Sequence, residues 1–232
     1  MVLVVETLHD LELLEKNPET RSAIIELNAR LYGITENYSD FVSRITYEID
    51  LIISMLENAR DQYSDQREDC ITYVICMLLK QKSINAIHGE HSSGSTDLVV
   101  RHGQCLWIAE SKWWNKNDNA LEGMLQLSTR YASGGDNATS GGVLLFNRTG
   151  DISGKISRLK EIYKSMQDQF EDITVCKCEA SSLAFKTKHK HPASGLEYEV
   201  RHRALNFYYD PQDKSGKRTK ERRSKKKNDV MR

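Results

Sequence analysis

Asp97, Glu110 and Lys112 are the residues of this chain whose types and spacing could do chemistry. They stand in Gly94-Ser95-Thr96-Asp97-Leu98-Val99-Val100 and Leu106-Trp107-Ile108-Ala109-Glu110-Ser111-Lys112, two apolar runs that read as strands. Charged groups rarely sit in such runs without a compensating partner. Two facing carboxylates repel, and one must take up a proton unless a cation lies between them. Mg2+ removes the conflict: it accepts a few carboxylate oxygens, keeps several waters and leaves room for a phosphate oxygen. Such an ion polarises the phosphate and acidifies a bound water, and Lys112 can stabilise the developing oxyanion or orient that water. The chemistry within reach is hydrolysis of a phosphodiester.

Convergence of the three side chains depends on the turn between the runs. In His102-Gly103-Gln104-Cys105 a glycine takes the first central position of a two-residue loop, as a type II′ turn requires. That loop pairs His102 with Cys105 and, counted outward, sets Asp97 opposite Glu110. Opposed residues share a face with Cβ atoms about 5 Å apart, and Lys112, two residues on, points the same way. A three-residue loop would carry Asp97 to the other face.

The elements that must position these strands follow from periodicity. Leu8, Leu11, Leu13 and Leu14 begin an amphipathic helical segment, and Ile24, Ile25, Leu27 and Leu31 form a second one between Pro18 and Gly33. A third helix is predicted over about 40–58, with Phe41, Ile45, Ile49, Ile52 and Leu56 on one stripe; it reads as a scaffold or a partner-docking helix. A fourth covers about 65–80 through Ile71, Val74, Ile75, Leu78 and Leu79. Glu68 precedes Ile71 by three residues and Ile75 by seven, so it falls on the same stripe, either as a charge favoured by the helix dipole or as a group reaching into a site. Strands are predicted over 83–88, 97–101 and 105–113, then a helix from Asn117 through Leu121, Met124, Leu125, Ser128 and Ala132. The continuous run Val143-Leu144-Leu145-Phe146 suits a strand buried on both faces. A helix through Ile152, Ile156, Leu159, Tyr163 and Met166 and strands at 173–176 and 198–205 complete a mixed sheet flanked by helices, an α/β fold.

Asp97, followed after thirteen residues by Glu110-Ser111-Lys112, resembles the motif of the PD-(D/E)XK nuclease superfamily, the restriction-endonuclease-like fold. Thr96 stands where the motif's name has proline. The resemblance covers about residues 65–185; the chain is read as a helical region over 1–64, a nuclease-like domain over 65–210 and a basic, disordered tail over 211–232, the first and last lying outside the resemblance. The resemblance implies a helix before the first strand that supplies a glutamate, matched by Glu68, and one after the Glu-x-Lys strand that carries a glutamine, matched by Gln126. It further implies Mg2+ or Mn2+ held by Asp97, Glu110 and the Ser111 carbonyl, with Lys112 acting on the nucleophile or the transition state. The expected activity is endonucleolytic, on DNA ahead of RNA. An RNA-cutting or antiviral-defence effector of the same fold is an alternative, and so is a non-catalytic nucleic-acid-binding or assembly module. Gln126 also lies on a row with Glu122 and Arg130, which a solvated polar face would explain. Glu90, His88 and His91 lie near the strand turn, within reach of metal or phosphate or simply as loop polar groups. Trp113 and Trp114 suit packing better than base stacking.

Composition sets the outer bounds. Charged residues make up 28% and hydrophobic ones 39% of 232 residues, ordinary for a globular protein with one sizeable core. No run approaches the roughly 18 apolar residues of a membrane span, and the first residues lack the basic flank of a signal peptide. Five cysteines, an odd number set in apolar segments, suit reduced thiols in the cytoplasm. Cys176-Lys177-Cys178 lacks the spacing of a zinc site. The net charge of zero hides an asymmetry: residues 214–232 hold ten Lys/Arg against two Asp/Glu, so the rest carries −8. That tail reads as a polyanion contact or as a solvated segment, and as a nuclear import signal if the source has a nucleus. A homodimer would give two sites for cutting two strands, and the N-terminal helices offer a surface for a protein partner.

Overall fold

The computed structural model describes residues 37–91 and 95–216. The two segments expected around Leu8–Leu14 and Ile24–Leu31, the side chains of Glu90 and His91, and the tail from residue 217 lie outside the described residues. Seven strands form one mixed sheet: β1 (Asn85–His91), β2 (Ser95–His102), β3 (Cys105–Trp113), β4 (Ser140–Asn147), β5 (Thr174–Lys177), β6 (Ala184–Lys190) and β7 (Glu197–Asn206), in the order β1-β2-β3-β4-β7-β6-β5. β1, β2 and β3 make an antiparallel meander; β3, β4 and β7 run parallel; β6 and β5 close the far side antiparallel.

Helices cover both faces. α1 (Tyr38–Asn58), the single turn α2 (Arg60–Tyr63) and α3 (Glu68–Gln81) precede the sheet; α4 (Asn117–Gln126) joins β3 to β4, and α5 (Ile152–Lys164) follows β4. Strand residues alternate between two cores as the pleat requires. Leu98, Val100, Trp107, Ala109, Leu144 and Phe146 pack with Ile45, Ile49 and Ile52 of α1 and Ile71 and Ile75 of α3. Val99, Ile108, Val143 and Leu145 pack with Ala120 and Met124 of α4 and Ile156, Leu159 and Tyr163 of α5. The result is a three-layer α/β/α arrangement with a wholly buried β4, as its continuous apolar run predicts.

α1 starts two residues earlier than its apolar stripe suggests because Asn37 caps it, its Oδ1 accepting the Ser39 N–H at 2.9 Å. The helix shares one core with α3 and is tied to the sheet by charge. Asp50 accepts from Arg201 Nη2 at 2.6 Å and from Arg203 Nε at 2.9 Å. β6 is a strand that hydrophobic patterning passes over. Its inward residues are Phe185, Thr187 and His189, its outward ones Lys186, Lys188 and Lys190, so only one large apolar side chain marks its buried face. The helix after β3 is also shorter than its pattern: α4 ends at Gln126 and a π-helical turn spans Leu127–Tyr131.

Candidate active site

β2 and β3 pair from His102–Cys105 to Leu98–Ala109 in the register set by the Gly103-Gln104 turn. Gly103 has φ +54 and Gln104 is not among the positive-φ residues, the φ signature of type II′. Asp97 and Glu110 are next in line, but the ladder stops one pair short of them. Thr96 and Ser95 remain paired with Glu90 and His91 of β1, while β3 from Glu110 to Trp113 runs on beside β4.

Where the strands part, β3 keeps donors that β2 no longer meets. By the parity of an antiparallel ladder, the N–H groups of Ser111 and Trp113 point to the vacated edge. Carboxylates take both: Ser111 N–H donates to Asp97 Oδ2 at 2.9 Å, and Trp113 N–H donates to Glu68 Oε2 at 2.5 Å. Glu68 is the first residue of α3, and its side chain reaches across to β3. The sequence-predicted Asp97, Glu110, Ser111, Lys112 and Glu68 are thus gathered at one end of β3. The Ser111 carbonyl lies on the same strand edge as its N–H.

The electrostatics are those of a crowded anionic site. Glu110 is 1% exposed; Lys112 Nζ donates to its Oε2 at 3.2 Å, and its Oε1 is buried without a hydrogen-bond partner. Burial, reinforced by the neighbouring Asp97, pushes the Glu110 carboxyl up to about 8. Burial also raises Glu68, against the opposing pull of the Trp113 N–H and Lys112. For Lys112 burial works against the charge, yet Glu110, Asp97 and Glu68 outweigh it and the ammonium is held more firmly than usual. Without a cation the crowding is relieved by Glu110 keeping its proton at neutral pH; a bound cation would let it ionise.

Glu110 and Lys112 face α4, and the contact is closest at Gly123. A Cβ there would lie 3.1 Å from Lys112 Cγ, 3.3 Å from Val143 Cγ1 and 3.8 Å from Glu110 Cβ. Gly123 is not among the sequence-predicted site residues; an isolated glycine inside a helical pattern is the signal that marks such an approach. Gln126, one turn further along α4, is half-buried, and its Oε1 is buried with no hydrogen-bond partner. Glu122 and Arg130 are exposed, and the π-helical turn breaks the row that would have joined Arg130 to them. Trp114 is buried, with its Nε1 donating to Asn117 Oδ1 at 3.3 Å, and Trp113 packs edge-on against Phe146 and Phe207. Both tryptophans pack, as expected. His88 pairs with Leu98 across β1 and β2 and meets Tyr73 edge-on.

Among the described residues no three His, Cys, Asp or Glu side chains are grouped to hold a metal ion. Asp97, Glu110 and the Ser111 carbonyl are a smaller set of hard oxygen donors, of the kind that suits an ion retaining its own waters. The orphaned Oε1 of Glu110 is the atom such an ion would satisfy. No family model, no curated protein and no solved structure matches the chain.

Proposed function

We propose that this protein is a metal-dependent endonuclease of the restriction-endonuclease-like, PD-(D/E)XK class, with DNA as the preferred substrate. The observation that carries the reading is the parting of β2 and β3. There Asp97 and Glu68 hold two main-chain N–H groups of β3, and Glu110 and Lys112 meet at 3.2 Å on the face toward α4. The order α3, β1, β2, β3, α4, β4 supports it, because it supplies a glutamate before the hairpin and a glutamine after it.

Asp97, Glu110 and the Ser111 carbonyl would hold Mg2+ or Mn2+. When bound, the ion supplies Lewis-acid polarisation of the phosphate and a water acidified for attack. Lys112, kept protonated by three carboxylates, places its charge where the phosphorane oxyanion develops. Glu68 and Asp97, through the Trp113 and Ser111 N–H groups, fix the end of β3 and hence the direction of the Lys112 side chain. Gln126, on the α4 that packs on this face, has a buried carbonyl oxygen without a protein partner, and in this reading it would orient a water.

The test is a panel of plasmid DNA, single-stranded DNA and RNA incubated with Mg2+ or Mn2+. Wild type cleaves at least one member and Asp97→Asn does not. Calorimetry shows metal binding that Asp97→Asn loses. A wild type that binds neither ion and cuts nothing overturns the reading and favours a non-catalytic module.

A further inference from the structure

β1 does not stop at His88, where its apolar pattern ends; it runs on to His91 through Gly89, which is half-buried and has φ +69. The register with β2 passes from His88–Leu98 to Glu90–Thr96, which sets Gly89 directly across from Asp97. Ile87 and Val99, the pair two residues away, both pack on the α4 and α5 side of the sheet. Asp97 and the place across from it therefore face that side too, as do Glu110 and Lys112. A side chain there would hold its Cβ about 5 Å from that of Asp97. Glycine has none, and its left-handed backbone is one that other residues adopt only with strain. Asp97 is closed in elsewhere. On the β3 side its Oδ2 takes the Ser111 N–H, α4 lies on Glu110 and Lys112, and the other face of the sheet is filled by Leu98 and Ala109 against α1 and α3. β1 bounds the flank across from α4, and beside Asp97 it offers a gap. A glycine inside a strand marks such a place, where a ligand or another backbone comes close.

Resting on the nuclease reading, we propose that position 89 is a specificity-determining gap: the backbone of the nucleic-acid strand passes over β1 there to reach the Asp97 carboxylate. The phosphate brought to Asp97 and Glu110 carries a sugar on either side, and a side chain at position 89 would take the room that one of them needs. Gly89 governs the approach of the strand, not the chemical step.

Gly89→Asn fills the gap with a residue that tolerates a left-handed backbone. Gly195→Asn makes the same change at φ +72 in the connection between β6 and β7, where nothing lies within 4 Å. Fluorescence anisotropy of labelled DNA and RNA oligonucleotides, single-stranded and duplex, gives affinity with Ca2+ present. Gly89→Asn weakens the tightest of them by at least about 10-fold, and Gly195→Asn binds as wild type does. With Mg2+, Gly89→Asn raises KM and leaves kcat within about twofold, and calorimetry finds its Mg2+ affinity unchanged. Hydrogen exchange reads the same face of the wild type without a substitution: the tightest oligonucleotide slows exchange over 85–91 and not over 184–190. Wild-type affinity in Gly89→Asn, equal weakening by Gly195→Asn, or loss of Mg2+ binding in Gly89→Asn overturns the proposal even if wild type cleaves. If Gly89→Asn does not fold, unchanged exchange over 85–91 overturns it. A wild type that binds no oligonucleotide overturns the proposal and the nuclease reading together. Absence of cleavage by wild type, with the binding and exchange effects intact, overturns the nuclease reading alone and leaves a nucleic-acid path over β1 in a binding module.

Discussion

Glu68 accepts the Trp113 N–H at 2.5 Å, and substitution can divide that structural task from its charge. Glu68→Leu leaves a half-buried donor unmet and should lower stability by about 1–3 kcal/mol in urea unfolding. Glu68→Gln retains a carbonyl acceptor and should cost less than about 1 kcal/mol, yet reduce cleavage about tenfold because Lys112 loses one of its three carboxylates. Equal stability losses in the two variants would refute this division. At this scale much was legible in the sequence. Asp97, Glu110 and Lys112 announced themselves as charges inside strand-like runs, and Gly103 fixed their register. The loss of the ladder beyond Leu98 was not legible, because it arises from β2 following β1 where β3 follows β4, a competition between partners distant in sequence.

Elements position these residues through two contacts that local patterns conceal. α4 approaches β3 at Gly123, with Lys112 Cγ at 3.1 Å from the space a Cβ would fill. Gly123→Val should cost about 1–3 kcal/mol by overpacking and should also displace Lys112, reducing cleavage more than the stability loss explains; melting and rate are measured together. α1 is anchored by Asp50, which meets two arginines only 5% and 7% exposed. Asp50→Ala strands both cations and should cost about 3 kcal/mol, read by urea unfolding. A cost near zero would mean that apolar packing alone seats α1. The long apolar helices and the continuous β4 run were readable from period alone. β6 was not, because its buried face is Phe185-x-Thr187-x-His189, and the π-helical turn was not, because a helical stripe does not distinguish it from α-helix.

For the whole molecule, the three-layer arrangement buries titratable groups that link folding to pH. Burial holds His202 down to about 3 and His189 down to about 4, where an unfolded histidine titrates near 6.5. The unfolded chain therefore binds protons that the folded chain refuses. Stability is complete above pH 6.5 and falls as pH drops toward 4, by about 1.4 kcal/mol per unit for each histidine. Urea unfolding at pH 7, 5.5 and 4.5 checks this, and a flat profile would contradict the burial of both rings as neutral groups. The same sheet that excludes protons there opens at its other side, between β2 and β3, where the candidate site lies. There, on the proposed reading, Lys112 works with the Asp97 and Glu110 carboxylates on a phosphodiester. The most direct measurement is the Mg2+-dependent cleavage rate of Lys112→Ala beside wild type, on whichever nucleic acid the wild type cuts. A loss of at least about 100-fold with unchanged unfolding is the predicted result. Cleavage by Lys112→Ala at the wild-type rate would contradict the account.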